Sequence, residues 1–284
     1  MKNILLPTDF SKCSTNAILY TLRLFKGTSC TFHLLSIYKA WNYTSGDLMQ
    51  ASADDSLYDI LISENKSKLE KLMKRISKNS VDEDFTFHAL TDYDVFTDSI
   101  NKFIEVKHID LIVMGTDGAS DAKEKLFGSH TLRVIRKVDS PLLIIPAGLK
   151  FHMLRRLLLI LDHSVDFEQT SLKPLLELIG NHSFSMEILK MSETGADAEV
   201  ETAGEKELKD HFAIYNPEYH RVSDTPTHEA VISLVESRNI DMNILPVRKE
   251  DFLERIFGSH LSKIIYSTPV PLFILQGSRA GKKS

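Results

Sequence analysis

The chain has little cysteine, no surplus of positive charge and no long apolar run, and each absence removes a class of function. Cysteine occurs only twice, at Cys13 and Cys30. Two thiols build neither a disulfide framework nor a cysteine-rich metal centre. Both are therefore expected to pack as small apolar groups in a reducing cytoplasm. A redox role for Cys13, near an expected helix start, finds no other support in the sequence. The net charge of −5 argues against a general nucleic-acid binder, which carries a basic surplus. No stretch approaches the ~18 apolar residues that a membrane span needs. The opening segment meets Pro7 and Asp9 too soon for a signal peptide. What remains is 284 residues, 43% hydrophobic and 26% charged, the mix of a soluble globular protein long enough for two domains.

What is present, first of all, is a repeat. Residues 126–146 read LFGSHTLRVIRKVDSPLLIIP and residues 256–276 read IFGSHLSKIIYSTPVPLFILQ. They share Phe-Gly-Ser-His, an isoleucine seven residues past the glycine, and a later Pro-Leu-x-Ile. Upstream, His-Ile-Asp-Leu-Ile-Val-Met at 108–114 matches Asn-Ile-Asp-Met-Asn-Ile-Leu at 239–245. Each copy opens on an apolar run ending in aspartate, at Asp9 and at Asp162. The boundary falls near Ala147 to Arg155, giving expected domains of 1–147 and 153–278.

Within each copy, apolar runs of strand length alternate with segments of helical periodicity. The first copy predicts strands at Ile4–Leu6, Thr31–Tyr38, Phe85–Leu90, Leu111–Met114 and Leu142–Ile145. Its helices are expected at Ser14–Phe25, Ser56–Ser77, Val95–Lys107 and Ser129–Val138. The second copy predicts strands near Leu157–Leu161, Ser185–Leu189, Tyr219–Val222, Met242–Leu245 and Leu272–Leu275. Its helices fit Phe167–Ile179, Glu201–Phe212 and Thr227–Arg238. Alternation of this kind predicts two α/β units, each a doubly wound, parallel five-stranded sheet that binds ligands at the carboxyl ends of its strands. The first copy is longer between its second and third strands. That insert contains Trp41, Asn42, Tyr43 and Gly46, and is either a surface loop or a flap.

One segment stands out chemically: Gly115-Thr-Asp-Gly118, nine residues, then Gly128-Ser129. It follows an expected strand and precedes an expected helix. Glycine lets backbone N–H groups approach a ligand closely, and a helix start supplies unpaired N–H donors and the positive end of a dipole. Together they predict a cradle for phosphate.

These residues resemble the universal stress protein family in its tandem two-domain form, over nearly the whole chain. The sharpest element is Gly-x2-Gly-x9-Gly-[Ser/Thr], at Gly115, Gly118, Gly128 and Ser129, joined to an Ile-Leu-Leu-Pro-Thr-Asp-Phe-Ser opening. The resemblance implies a Rossmann-like fold of the adenine nucleotide alpha hydrolase type and bound ATP, with or without Mg2+. Pro7, Thr8, Asp9 and Ile37 would meet adenine and ribose. The turn from Met114 and Gly115 to Gly118 would meet ribose and phosphates, and Gly128, Ser129, His130 and Thr131 would hold the phosphates. It also implies that the last strand of each domain is an edge that pairs, so that the two copies associate as an internal pseudo-dimer, with homodimers of the chain as a further step.

The second copy departs from this pattern. Gly258 and Ser259 persist, but the glycine pair is replaced by Leu245-Pro246-Val247-Arg248-Lys249, and Leu261 stands where Thr131 does. Pro246 has no N–H to offer. One nucleotide per chain is expected, in the first half. His130 and His260 recur together, which points to a shared packing role at a helix start.

Catalytic signals are sparse. The P-loop lysine is absent, and Asp117, Asp121, Lys123 and Lys125 are ordinary loop polarity unless a ligand recruits them. No carboxylate pair has clear magnesium-ligand spacing, and any ATP hydrolysis is expected to be slow. A receiver domain would want a lysine after the last strand, where Leu142-Leu-Ile-Ile-Pro146 has none. A dehydrogenase would want its glycines after the first strand, where Pro7-Thr-Asp-Phe stands. The expected function is that of an ATP-binding stress-response regulator acting on an unidentified protein partner. The alternatives are a nucleotide-independent scaffold of the same fold and a weak ATPase.

Overall fold

A computed structural model of the chain describes residues 2–37, 57–92, 95–116, 129–138, 140–161, 173–179, 184–191, 212–223, 225–247 and 268–276, without side chains at 57–62, 129–130, 132 and 276. The first half runs β1 (Lys2–Pro7), α1 (Lys12–Leu24), β2 (Cys30–Ile37), α2 (Leu57–Lys78), β3 (Phe85–Asp92), α3 (Phe96–Lys107), β4 (Leu111–Thr116), α4 (Ser129–Lys137) and β5 (Leu142–Pro146). The second half runs β6 (Arg156–Leu161), α5 (Lys173–Ile179), β7 (Ser185–Met191), β8 (Glu218–Val222), α6 (Thr227–Arg238), β9 (Met242–Val247) and β10 (Leu272–Gln276), with a short 3-10 turn at Ala213–Tyr215. The expected elements that fall within the described residues are present with ends shifted by no more than two residues. The largest such difference at the site is that β4 continues through Gly115 to Thr116 instead of stopping at Met114. Of the expected helix at 167–179 only Lys173–Ile179 is described, and of that at 201–212 only Phe212 is.

All ten strands form one sheet in the order β3-β2-β1-β4-β5-β10-β9-β6-β7-β8. Read outward from β5 and from β10, the two halves have the same strand order. Within each half the pairs are parallel. Among the described strands the single antiparallel junction is β5 against β10, with Leu272 opposite Ile144, Phe273 opposite Leu143 and Ile274 opposite Leu142. Both strands would otherwise be bare edges, so the junction satisfies their backbone groups and buries their side chains. Successive strand residues point to opposite faces. Ile4 and Leu6 therefore join one core layer, with Ile18 of α1 and Leu69 of α2. Leu5 joins the other, with Ile100 of α3 and Val134 of α4. Burying each such side chain contributes about 1.5–3 kcal/mol, and a sheet covered on both faces explains why its central strands are continuously apolar.

The repeated His-Ile-Asp and Asn-Ile-Asp segments now have a structural account. His108 (φ 49°) and Asn239 (φ 52°) end α3 and α6 in the left-handed conformation. The next N–H, of Ile109 or Ile240, donates back to the carbonyl of Ile104 or Val235, closing the helix end. The aspartate then ties β4 or β9 to the start of the first strand of its half. The Asp110 N–H donates to the Asn3 carbonyl and the Asn3 N–H donates to Asp110 Oδ2 at 2.8 Å. The Asp241 N–H donates to the Arg156 carbonyl, and Arg155 N and Arg156 N donate to Asp241 Oδ2 at 2.7 and 2.9 Å.

The connection between the halves lies against α1. Gly148 turns it at φ 69°, Asn16 Nδ2 donates to the Leu149 carbonyl at 3.2 Å, and the Phe151 ring meets Tyr20 edge-on at 5.2 Å.

Candidate functional site

In the order 3-2-1-4-5 the chain leaves β1 toward β2 on one side and enters β4 on the other. In sheets of this topology ligands bind in a crevice outside the carboxyl ends of the two central strands. β1 and β4 are neighbours, with Leu5 opposite Ile112, so Pro7–Asp9 and Gly115–Thr116 lie side by side. Ile37 ends β2, which pairs along the other edge of β1. A crossover between parallel strands runs opposite to them, so the N-terminus of α4, at Ser129, faces this same end of the sheet. No acid occupies the first turn of α4, and Arg136 and Lys137 occupy its last. This arrangement leaves the positive helix end unneutralised by its own side chains.

The β1 exit is a compact polar knot. Thr8 is buried, and its N–H donates to the Leu35 carbonyl of β2 at 2.8 Å. Its hydroxyl lies 3.0 Å from Ser14 Oγ and accepts from Phe10 N at 3.0 Å. Asp9 Oδ1 accepts from Ser11 N at 3.0 Å and from Ser14 Oγ at 2.8 Å. The first bond is an Asx turn of the kind that aspartate favours. Ser11 caps α1 by accepting from Ser14 N at 3.2 Å. Burial works against the Asp9 charge, but hydrogen bonds from the Ser11 side chain and backbone and from Ser14 outweigh it, so its carboxyl lies below the usual value. Phe10 is held at φ 63°, a left-handed conformation that costs a non-glycine residue about 1–2 kcal/mol. The sequence reading named Thr8 and Asp9 but missed Phe10, Ser11 and Ser14. The signal was there in Asp9-x-Ser11 and Ser11-x-x-Ser14, the spacings of an Asx turn and a helix cap.

At Gly115, where the sequence leads one to expect backbone close to a ligand, the missing side chain is also needed by the protein itself. A Cβ there would lie 2.4 Å from the Cys13 carbonyl oxygen and 2.7 Å from its carbon. The glycine makes room for the first turn of α1 packed across β4, and that packing alone demands it. Met114 is buried beside it, and Thr131, the first described side chain of α4, is 2% exposed. Gly118, Gly128 and the loop between them, with Asp117, Asp121, Lys123 and Lys125, lie outside the described residues, as does the insert around Trp41. Ser129 and His130 are placed by backbone as the start of α4.

In the second half Pro246 and Val247 take the places of Gly115 and Thr116, and Pro246 has no N–H to offer a ligand. Pro246 and Val247 sit inside β9, opposite Leu275 and Gln276, and Val247 is buried. Gly258, Ser259, His260 and Leu261 lie outside the described residues. Elsewhere this half gathers a trio that no sequence spacing revealed. Glu187, Glu218 and His220 bring one ligand atom each within 4.8 Å of one another. They come from neighbouring strands, with Glu187 opposite Glu218, so only the sheet register unites them. His220 Nε2 lies 2.8 Å from Glu187 Oε2, within hydrogen-bond distance, and Arg238 pairs with Glu218 at 3.1 Å.

The thiols behave as small packing groups. Cys30 is fully buried, and burial pushes its thiol up to about 11. Cys13 is partly covered at the start of α1. No described helix is long and apolar enough to cross a membrane.

Known proteins place this architecture. MJ0577, a universal stress protein of Methanocaldococcus jannaschii, is 27% identical over 157 residues, covering 51% of this chain and 94% of its own. MJ0531 of the same organism, also a universal stress protein, is 26% identical over 144 residues, covering 51% of this chain and 81% of its own. The crystal structure of a universal stress protein from Archaeoglobus fulgidus covers 96% of this chain and 98% of its own, with a TM-score of 0.70 at 22% identity. That likeness extends to the fold of both halves. The family model described as "Universal stress protein family" matches residues 1–146 and ends there. The β1 exit, the glycine segment after β4 and the α4 start all fall within that match, and on this evidence the chain belongs to the universal stress protein family.

Proposed function

We propose that the chain is a tandem universal stress protein in which residues 1–147 bind one adenine nucleotide, ATP, and residues 153–278 form a degenerate copy that binds none. In this reading β5 and β10 pair the copies as an internal pseudo-dimer. One observation carries it: two strand exits of the first half meet at the switch point beneath a helix N-terminus, whereas at the matching exit of the second half Pro246, which lacks an N–H, stands in the place of Gly115.

The residues fit such a ligand. Adenine and ribose would lie against Pro7, Thr8, Asp9 and Ile37, and beside Met114. The phosphates would take the backbone N–H groups at Ser129, His130 and Thr131, with Gly118 and Gly128 shaping the loop. Gly115 contributes by letting α1 close on β4 and not by touching the ligand. Several N–H bonds to phosphate, at about 1.5–3 kcal/mol each for charged partners, suffice for stable binding without a P-loop lysine. Occupancy would order the segment from 115 to 129 and alter the surface that a protein partner meets. The role is regulatory, with no fast catalytic step.

The test is a calorimetric titration with ATP, together with mass spectrometry of ligand released from the purified protein. The expected stoichiometry is about one per chain, lost in Gly118→Val. Two sites per chain, or binding unchanged in that variant, would refute the reading. A second reading, a nucleotide-independent scaffold, is favoured by one specific observation: Cys13 accounts for Gly115 without any ligand. No released ligand and no rise in melting temperature with ATP would select it.

A further inference from the structure

A cavity of about 800 Å³ lies between α1 and α2, on the face of the sheet away from α3 and α4. Its volume is that of a small-molecule site. The two walls have one pattern. From α1 come Lys12, Thr15, Asn16 and Leu19, and from α2 come Lys68, Lys71, Leu72 and Arg75. Both sets fall at helical i, i+3, i+4, i+7 positions, so each is a single stripe facing the other.

The charge is one-sided. Three lysines and one arginine line this cavity and no aspartate or glutamate does, in a chain whose net charge is −5. Lys68 alone among these four has an ion pair described, with exposed Glu64 one turn earlier on α2 at 2.6 Å. Such surface pairs exchange readily for a better partner. The positive end of α1 opens at the same place, because Ser11 and Lys12 both line the cavity. The floor is apolar: Leu72 is 6% exposed, and Leu19 lies in the wall with 41% of its surface still open. At one end the strained backbone of Phe10 turns its ring into the lining, with Lys68 Nζ 6.0 Å from the ring centroid.

Cations around an apolar floor with an aromatic face match a particular ligand chemistry. A bare inorganic anion would leave Leu19, Leu72 and Phe10 unused, and a neutral apolar ligand would leave the cations of the groove without a partner in the ligand. We propose that this groove binds a small phosphorylated organic molecule, its phosphate held by Lys68, Lys71 and Arg75 and its aromatic or apolar body against Phe10 and Leu72. Arginine holds phosphate by a two-pronged bond and lysine as a point charge. This groove adjoins the β1 exit, sharing Phe10 and Ser11 with it, but its phosphate-holding cations come from α2 and the proposal does not rest on the nucleotide reading.

Pyridoxal 5′-phosphate is a suitable probe, because it has an aromatic ring and a phosphate. Its aldehyde condenses with a lysine amine to an imine and water, and borohydride reduction fixes the adduct for peptide mass spectrometry. In the full chain, Lys68 or Lys71 is expected to label at least about tenfold faster than the exposed Lys26, the rate ratio of a 1.4 kcal/mol preference. Excess phenyl phosphate should remove that preference, and pyridoxal, which lacks the phosphate, should not show it. Arg75→Glu, an exposed substitution checked by its melting temperature, should abolish the preference, whereas Gly118→Val should leave it intact. Equal labelling of Lys26, equal labelling by pyridoxal, or insensitivity to Arg75→Glu would each overturn the proposal. Loss of the preference in Gly118→Val or with saturating ATP would equally overturn it, by merging this groove with the nucleotide crevice.

Discussion

The two halves of the sheet share a lattice and differ in what occupies it. Counting from the aspartate hooks, Leu5 and Leu158 are equivalent positions. Leu5 stands opposite His33, which stands opposite His88, while Leu158 stands opposite Glu187, which stands opposite Glu218. Each half therefore buries an ionisable side chain at the same point of its sheet: His33 is 4% exposed and Glu187 5%. The first half resolves this by neutrality. The His33 ring lies near-parallel to His88 at 5.2 Å, its Nε2 lies 3.3 Å from Asn3 Oδ1, and burial, His88 and Lys107 bring its imidazole down to about 4. The second half resolves it by pairing, Glu187 with His220. The scaffold hydrogen bonds recur because they close helices and fix register. The side chains between them are free to diverge so long as each buried polar group finds a partner or loses its charge.

The largest effect should come from acid. His33 has a folded value of about 4, below its ordinary 6.5, so the unfolded chain takes up the proton first as pH falls. Its contribution is intact above 6.5 and lost progressively down to about 4, by about 3 kcal/mol in all. Urea unfolding at a series of pH values should show this slope, and His33→Gln should flatten it. The window is distinct from that of Asp9, whose lowered carboxyl adds stability that is lost only as pH falls below the usual aspartate range.

Next in size, Gly115→Ala should destabilise the nucleotide-free protein by roughly 1–3 kcal/mol, the usual cost of overpacking, because its Cβ meets the Cys13 carbonyl. If the variant has wild-type stability and only loses ATP affinity, the glycine belongs to the ligand after all. Pro246→Ala at the matching strand exit of the second half should create no such clash.

The smallest contrast compares the hooks. Asp110→Ala should cost about 1 kcal/mol and Asp241→Ala about twice that. Asp110 Oδ2 holds the Asn3 N–H, whereas Asp241 Oδ2 holds two backbone N–H groups and its Oδ1 lies 3.0 Å from His152 Nε2. Equal losses in denaturant titrations would show that the hooks are energetically alike despite their different bonding.

Much of this molecule could be read before it was seen in three dimensions. The β-strands were legible because a sheet covered on both faces needs uninterrupted runs such as Ile4–Leu6 and Leu142–Ile145. The helices were legible from their periodicity, and Thr227–Arg238 was placed to the residue. The site was legible less evenly. Thr8 and Asp9 follow β1 where it runs beside β4, but the packing of Gly115 against Cys13 was not legible, because a glycine in a sequence shows that space is needed without showing what fills it. The groove between α1 and α2 escaped notice entirely. Its stripes, Lys12 to Leu19 and Lys68 to Arg75, lie far apart in the chain, and each alone looks like an ordinary solvated helix face.

By itself the sequence determined the local chemistry: which segments are strand or helix, where helices are capped, and that two copies of one pattern follow each other. Those follow from periodicity and from side chains acting on their own backbone, interactions of a few residues' range. Only the tertiary structure decided that β5 meets β10 antiparallel, that His33 and Glu187 share a lattice point, and that four cations face one another across a groove. Such juxtapositions depend on register and crossover, which bring together residues the chain holds far apart.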